Sequence, residues 1–465
     1  MRVRITCWLA AAASVAAAAL VAAPAADADT PTSYSGSTSS GGTWVADVPR
    51  AWNGTLLLFS HGFGPVEAAD APDEATKQAL LNRGYALAGS SEGPSTGNWW
   101  TLGVALDDQF ETLAGVRAKL PAPARQVIAV GQSMGGLISA LENEHAQGRL
   151  DGVLTACGLV EGADPILQYQ LLGQYAMSRL LAPGEPIKLV NFPGAAAGSG
   201  PAQGLATGKQ LTEYAQQAQR TPQGRARLAL AMAFLNTAPW AAGDAKPGPK
   251  DYAEQERQQY KVQFTTDSGM TPIELVELAR GYMEEAAGGN ASRTAGVDFA
   301  RELGRSPYLP QVRALYRSAG LNLDTDLAGL TATADIKPDA AATRWYARTS
   351  QPSGHLTVPQ LNLHTISDQL IPVQAEDYYG RTAARAESDP LLRQAYVERV
   401  GHCDFTPAEL VAGVRAVQHR VEKGRWDDVA TPGKLDAVAK SLDLGDAAYI
   451  PFRPAPLTGV APTAG

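Results

Sequence analysis

The sequence predicts an α/β fold: a mostly parallel sheet of about eight strands, interrupted by one large helical insertion. Three observations predict it. Short apolar runs at 56–59, 85–89, 127–130 and 153–156 alternate with segments of helical period. From about 162 to 354 the period is helical and convincing strand patterns are absent. Strand-like runs return at 358–363 and 395–400, so the sheet is resumed after the insertion.

Taken in order, residues 1–28 read as a secretory signal. Arg2 and Arg4 precede an Ala/Val/Leu run over 5–23, and Ala23-Pro24-Ala25 or Ala26-Asp27-Ala28 supplies a small-x-small cleavage site. An uncleaved anchor is the competing reading. Cleavage implies a secreted, extracellular protein, and Cys7 would leave with the peptide. Residues 29–42 are rich in Ser, Gly and Thr and predict a flexible leader. Residues 43–48 alternate weakly, as an edge strand does. Leu56-Leu57-Leu58-Phe59 is continuously apolar, as strands buried on both faces are. Helices are expected over 74–83, stopped by Gly84, and over 104–119, with Phe110, Leu113 and Val116 on one face. The core is therefore placed at 43–161 and 355–450. The insertion, 162–354, is read as a cap over the sheet, with a separate helical domain as the other reading. Its helices are expected at 166–181, 207–217, 225–235, 272–287 and 309–319. Thr406-Pro407-Ala408-Glu409 is a capping box with proline at the first helical position, opening a helix to about 421. The tail, 451–465, is Pro/Ala-rich and read as irregular.

Of 465 residues 45% are hydrophobic and 18% charged, which suits a large core and excludes global disorder. A net charge of -8 argues against nucleic acid or an anionic membrane as the main partner. No stretch after the signal is apolar for long enough to span a bilayer. Oligomeric state is not legible.

The chemistry starts at Gly131-Gln132-Ser133-Met134-Gly135, between the 126–130 strand and a helix. A turn this sharp strains the serine backbone and lifts its Oγ out of the sheet, and the glycines spare the collisions a Cβ would cause. A serine hydroxyl needs a base to become a nucleophile, and the base needs an acid to orient it. His402, in the loop after the 395–400 strand, is the candidate base. Among the other histidines, His145 and His419 lie on helices, His355 in a loop, and His61 in a glycine-rich loop where it reads as structural. His364 is the strongest rival. Asp368, just past the 358–363 strand, is the candidate acid; Glu161 and Asp164 are rivals, and Asp404 is too near His402 in sequence to face its ring. His61-Gly62-Phe63-Gly64 closes the 56–59 strand, and its amides suit an oxyanion hole. Phe63 N–H, with Gly62 as alternative, pairs there with Met134 N–H. Trp99, Trp100 and Tyr85 are candidates for an apolar pocket wall, with core packing as the other role.

The order Ser133, Asp368, His402 resembles the α/β-hydrolase superfamily of secreted serine hydrolases over about 43–158 and 358–421. That likeness implies a sheet of about eight strands with the site at their carboxyl ends. A weaker resemblance is to tannases and feruloyl esterases, in which a cysteine before the nucleophile is bridged to one after the histidine. Here Cys403 follows His402, but Gln132 precedes Ser133. Cys157 and Cys403 form an even pair for an oxidising compartment, so one disulfide is expected, against two buried free thiols. Cys157 would take the partner role.

The expected activity is hydrolysis of a small-molecule carboxylic ester through an acyl-enzyme. No metal or organic cofactor is called for, since cysteines and histidines lack zinc-type spacing. The alternatives are an exported aminopeptidase of the prolyl-peptidase type, with Glu284-Glu285 holding the peptide amine, an acyltransferase, and a non-catalytic binding protein on the same fold.

Overall fold

The computed structural model describes residues 30–192, 199–266 and 269–460. The expected signal, 1–28, lies outside them. Nine strands form one sheet: β1 (Thr32–Ser37), β2 (Thr43–Val48), β3 (Thr55–Ser60), β4 (Ala86–Ser90), β5 (Gln126–Gln132), β6 (Gly152–Ala156), β7 (Gln360–Ser367), β8 (Leu392–Val400) and β9 (Tyr449–Ile450). Their order is β1-β2-β4-β3-β5-β6-β7-β8-β9. The six strands from β4 to β8 in that order are parallel; β2 and β9 run antiparallel to them, and β1 pairs antiparallel with β2 at the edge. All residues of β3, β4, β6 and β7 are buried, the pattern of strands covered on both faces.

Helices α1 (Glu74–Leu81), α2 (Ala105–Arg117) and α3 (Met134–Glu144) make the crossovers between β3 and β6. Among the described residues, nine helices lie between β6 and β7: α4 (Ala163–Leu181), α5 (Ser199–Ala218), α6 (Pro222–Leu235), α7 (Tyr252–Phe264), α8 (Pro272–Ala287), α9 (Phe299–Gly304), α10 (Leu309–Ser318), α11 (Leu323–Ala332) and α12 (Ala340–Thr349). Then come α13 (Gln374–Arg385), α14 (Pro407–Lys423) and α15 (Pro432–Lys440). The α14 capping box forms as read: Glu409 N–H donates to Thr406 Oγ1 at 3.3 Å and Thr406 N–H to Glu409 Oε2 at 2.9 Å.

Three differences from the sequence reading have physical causes. The leader is not loose, because 32–37 is β1, paired residue for residue with β2. Its side chains are mostly exposed, so no apolar alternation marks it. Helix α7 was not expected. It buries Gln255, Glu256, Gln258, Gln259 and Gln263, so its inner face is polar and leaves no hydrophobic period. Those amides are satisfied inside: Gln259 Nε2 donates to Thr237 O at 2.9 Å and Gln311 Nε2 to Gln259 Oε1 at 2.7 Å. The tail has no regular element over 451–460 but is held in place. Leu457 and Thr458 are fully buried, and the Asn236 side chain brackets Thr458 by accepting its N–H at 3.0 Å and donating to its carbonyl at 3.1 Å.

The sheet core has two faces. One packs Leu57, Leu87, Ile128, Leu154 and Leu363 against α1, α14 and α15. The other packs Leu56, Leu58, Val127 and Val153 against α2. The helical excursion has its own core, centred on Leu228 to Phe234 of α6 with Tyr175, Phe264 and Phe299.

Candidate active site

Strand order reverses between β3 and β5, so the loops leaving their carboxyl ends diverge and open a crevice. The loop after β3 carries His61 to Gly64 and the turn after β5 carries Ser133. Ser133 has φ 57° and ψ −123°, a strained conformation for a residue with a Cβ. Its neighbours permit it: a Cβ on Gly131 would overlap the Gly135 carbonyl, and one on Gly135 would overlap the Ser60 carbonyl. The Ser133 N–H donates to Ala156 O at 3.0 Å, tying the turn to the end of β6.

Three side chains meet above this turn. Ser133 Oγ lies 2.7 Å from His402 Nε2, and His402 Nδ1 lies 2.7 Å from Asp368 Oδ2. The other Asp368 oxygen accepts the N–H groups of Leu370 and Ile371 at 2.8 and 2.9 Å. Its carboxylate is thus fixed by three hydrogen bonds in a site with no solvent exposure of the side chain. The imidazole is 12% exposed, open enough to meet a substrate.

The chain has the α/β-hydrolase fold. No family model matches it. It is 26% identical over 427 residues to an o-phthalyl amidase of Xanthobacter agilis, covering 88% of this chain and 91% of that protein. Among solved structures it is similar to feruloyl esterase B from Aspergillus oryzae, with TM-score 0.39, 12% identity, and 84% and 80% of the two chains covered. It is also similar to the acylaminoacyl peptidase of Pyrococcus horikoshii, with TM-score 0.35, 10% identity, and 84% and 40% covered.

In this hydrolase fold the loop after β3 sits directly against the serine. A Cβ built on Gly62 would stand 3.3 Å from Ser133 Cβ, so only glycine fits there with ease. No carbonyl of the described residues takes the Phe63 N–H, and the Met134 N–H, at the first position of α3, has no acceptor within its helix. His61 is turned away: Nδ1 lies 2.7 Å from Gly62 O and Nε2 3.2 Å from Ser91 O. Its N–H donates to Glu92 Oε1 at 2.9 Å. Glu92 is fully buried, and burial pushes its carboxyl up to about 7 against the pull of His61. Nothing in the sequence singles out Glu92, one acid in a Ser-Ser-Glu-Gly turn.

Cys157 and Cys403 form a disulfide with their Cα atoms 5.2 Å apart, which fastens the histidine loop to the end of β6. The bond also occupies both sulfurs of the Cys157, His402, Cys403 cluster, which removes it as a metal site. Trp99 stacks on Tyr282 of α8 with centroids 4.8 Å apart, and Phe63 meets both edge-on at 5.7 and 5.6 Å. These three half-buried rings join the excursion to the loop after β3. Trp100 is a core residue, and Tyr85 packs on the α14 side of the sheet, its hydroxyl donating to Gln418 Oε1 at 2.7 Å. Tyr85 therefore has no place at the site.

Neither rival acid, Glu161 or Asp164, is bonded to His402, whose Nδ1 partner is Asp368. Glu284 is buried against Arg280 at 3.6 Å and accepts the Phe192 N–H at 3.0 Å. Asp164 points to the Arg293 side of α4, and Asp404 packs under Gly401. Among the described residues no helix is long and apolar enough to cross a membrane.

Proposed function

We propose that this chain is an exported serine hydrolase that cleaves a small-molecule carboxylic ester through an acyl-enzyme. The observation that carries the reading is the continuous hydrogen-bonded line from Ser133 through His402 to Asp368. His402 Nε2 takes the Ser133 proton as Oγ attacks the carbonyl carbon. Asp368 accepts the Nδ1–H and steadies the imidazolium. The Phe63 and Met134 amides receive the negative oxygen of the tetrahedral intermediate. The imidazolium then hands its proton to the leaving alcohol, and the same imidazole activates the water that releases the acid. The helical excursion acts as the cap, with the Phe63, Trp99 and Tyr282 rings at the hinge between its helices and the site. Export is supported by the 1–28 pattern and by a disulfide that an oxidising compartment maintains.

A second reading, hydrolysis of an aromatic amide, is favoured by the likeness to an o-phthalyl amidase. It uses the same residues, with His402 protonating an amine. In the aminopeptidase reading the peptide amine would fall to Glu285 of the Glu284-Glu285 pair, because Glu284 is buried against Arg280.

Fluorophosphonate labelling tests the class: the chain is expected to be labelled, and Ser133→Ala is expected to abolish it. Labelling that persists in Ser133→Ala would overturn the assignment. Rates on p-nitrophenyl acyl esters, aryl amides and peptide anilides then separate the readings, with esters expected to be fastest.

A further inference from the structure

Behind the candidate acid lies a second imidazole. His364, on β7, has no solvent exposure, and the groups nearest its ring nitrogens are a carbonyl and two carboxylates. Its Nε2 lies 3.1 Å from Ile371 O and 3.6 Å from Asp368 Oδ2; its Nδ1 lies 3.4 Å from Glu376 Oε1 on α13. A carbonyl cannot donate, so Nε2 must carry a hydrogen. The Glu376 carboxylate is itself pinned as an acceptor, since Oε2 takes amide hydrogens from Asn362 at 2.9 Å and Gln394 at 2.5 Å. Both ring nitrogens therefore face acceptors, which only the doubly protonated ring satisfies.

We propose that His364 is a positioning residue for the reaction, a buried imidazolium that holds Asp368 as a carboxylate and sets how strongly Asp368 attracts a proton onto His402. The proposal rests on the triad reading above. Asp368 Oδ2 is shared, with His402 Nδ1 at 2.7 Å on one side and His364 Nε2 at 3.6 Å on the other. Two cations then compete for one carboxylate whenever His402 is protonated. The fixed charge of His364 repels a second positive charge across the shared carboxylate.

The other groups around His364 fit this charge state. From the loop after β6, Glu161 approaches with its carboxyl unbonded to any side chain among the described residues, and burial pushes it up to about 8, leaving it neutral. Tyr169 of α4 is buried beside Glu161 and Asp368, and its hydroxyl stays protonated. Tyr396 faces His364 in register from β8, and burial pushes its hydroxyl up as well. Two carboxylates thus enclose one cation. Burial alone would strip the proton from His364; Glu376 and Asp368 outweigh it and push the ring up to about 9.

Two measurements test this. In the intact protein labelled with 15N-histidine, both ring nitrogens of His364 are expected to remain protonated at pH 8. A neutral ring with one bare nitrogen at pH 7 would overturn the proposal. That readout needs no turnover and no variant, so it stands if a substitution fails to fold. In His364→Gln, which keeps one donor and removes the charge, the acid limb of the kcat/KM profile is expected to move up by about one pH unit. A profile that keeps its shape while activity falls uniformly would mean that His364 only fills space, and would overturn it too. Failure of the triad shows differently: Ser133→Ala would retain activity while the His364 signals stayed those of an imidazolium.

Discussion

At the scale of single residues, the proposed chemistry depends on which proton sits where. Asp368→Asn keeps the size of the side chain but offers an amide donor or a weaker acceptor to His402 Nδ1. A wrong tautomer at His402 would leave Nε2 protonated and unable to accept from Ser133. We expect kcat to fall by about 10³–10⁴-fold with KM little changed, read from steady-state kinetics on a p-nitrophenyl ester. A loss below tenfold would remove Asp368 from the proposed role. Ser133, His402 and Asp368 were legible because strand ends and chain order mark them. Glu92 and Glu376 were not marked, because an isolated acid on a strand end or helix looks like a solvated one until packing buries it.

At the scale of elements, the turn after β5 and the histidine loop are held by different means. The turn relies on space: a Cβ on Gly135 would meet the Ser60 carbonyl, which is backbone and cannot step aside. Gly135→Ala is expected to abolish soluble expression or lower Tm by about 1–3 °C, as measured by circular dichroism, because overpacking of this kind costs about 1–3 kcal/mol. The loop relies on a covalent tie. Replacing Cys157 and Cys403 together by serine is expected to cost about 2–5 kcal/mol, seen as a lowered midpoint in denaturant. An unchanged midpoint would mean that packing alone holds the loop. At this scale the sequence was a good guide wherever burial was apolar. β3, β5, β6 and β7 were visible as apolar runs, α8 from its helical period and α14 from its cap. It was a poor guide for β1, whose side chains are mostly exposed, and for α7, whose buried face is built mainly from glutamines.

At the scale of the whole molecule, buried acids set the response to pH. Burial, the largest cause in each case, pushes Glu161 and Glu277 up to about 8 and Glu92 up to about 7, from 4.5. The folded state therefore binds these protons more tightly than the unfolded chain. Their contribution is full below about pH 4.5 and is lost as pH rises through 7 and 8. His364 acts in the same direction: raised from 6.5 to about 9, it stabilises below pH 6.5 and loses that effect by about pH 9. Tm is thus expected to fall between pH 6 and pH 9 in calorimetry, and a flat or rising Tm would contradict the buried charge states. The alternation of strand and helix made the sheet readable from end to end. The route of the tail was not readable, since its hold depends on distant side chains, Asn236 at one helix cap and Glu302 and Arg305 at the end of α9.

The bond between Cys157 and Cys403 joins positions 246 residues apart, and every helix from α4 to α13 lies within the ring it closes. A protease that nicks any loop of that ring would leave both pieces in one molecule. The cut protein would migrate as two fragments on a gel only after reduction, and until then it would keep Ser133 and His402 on a shared scaffold.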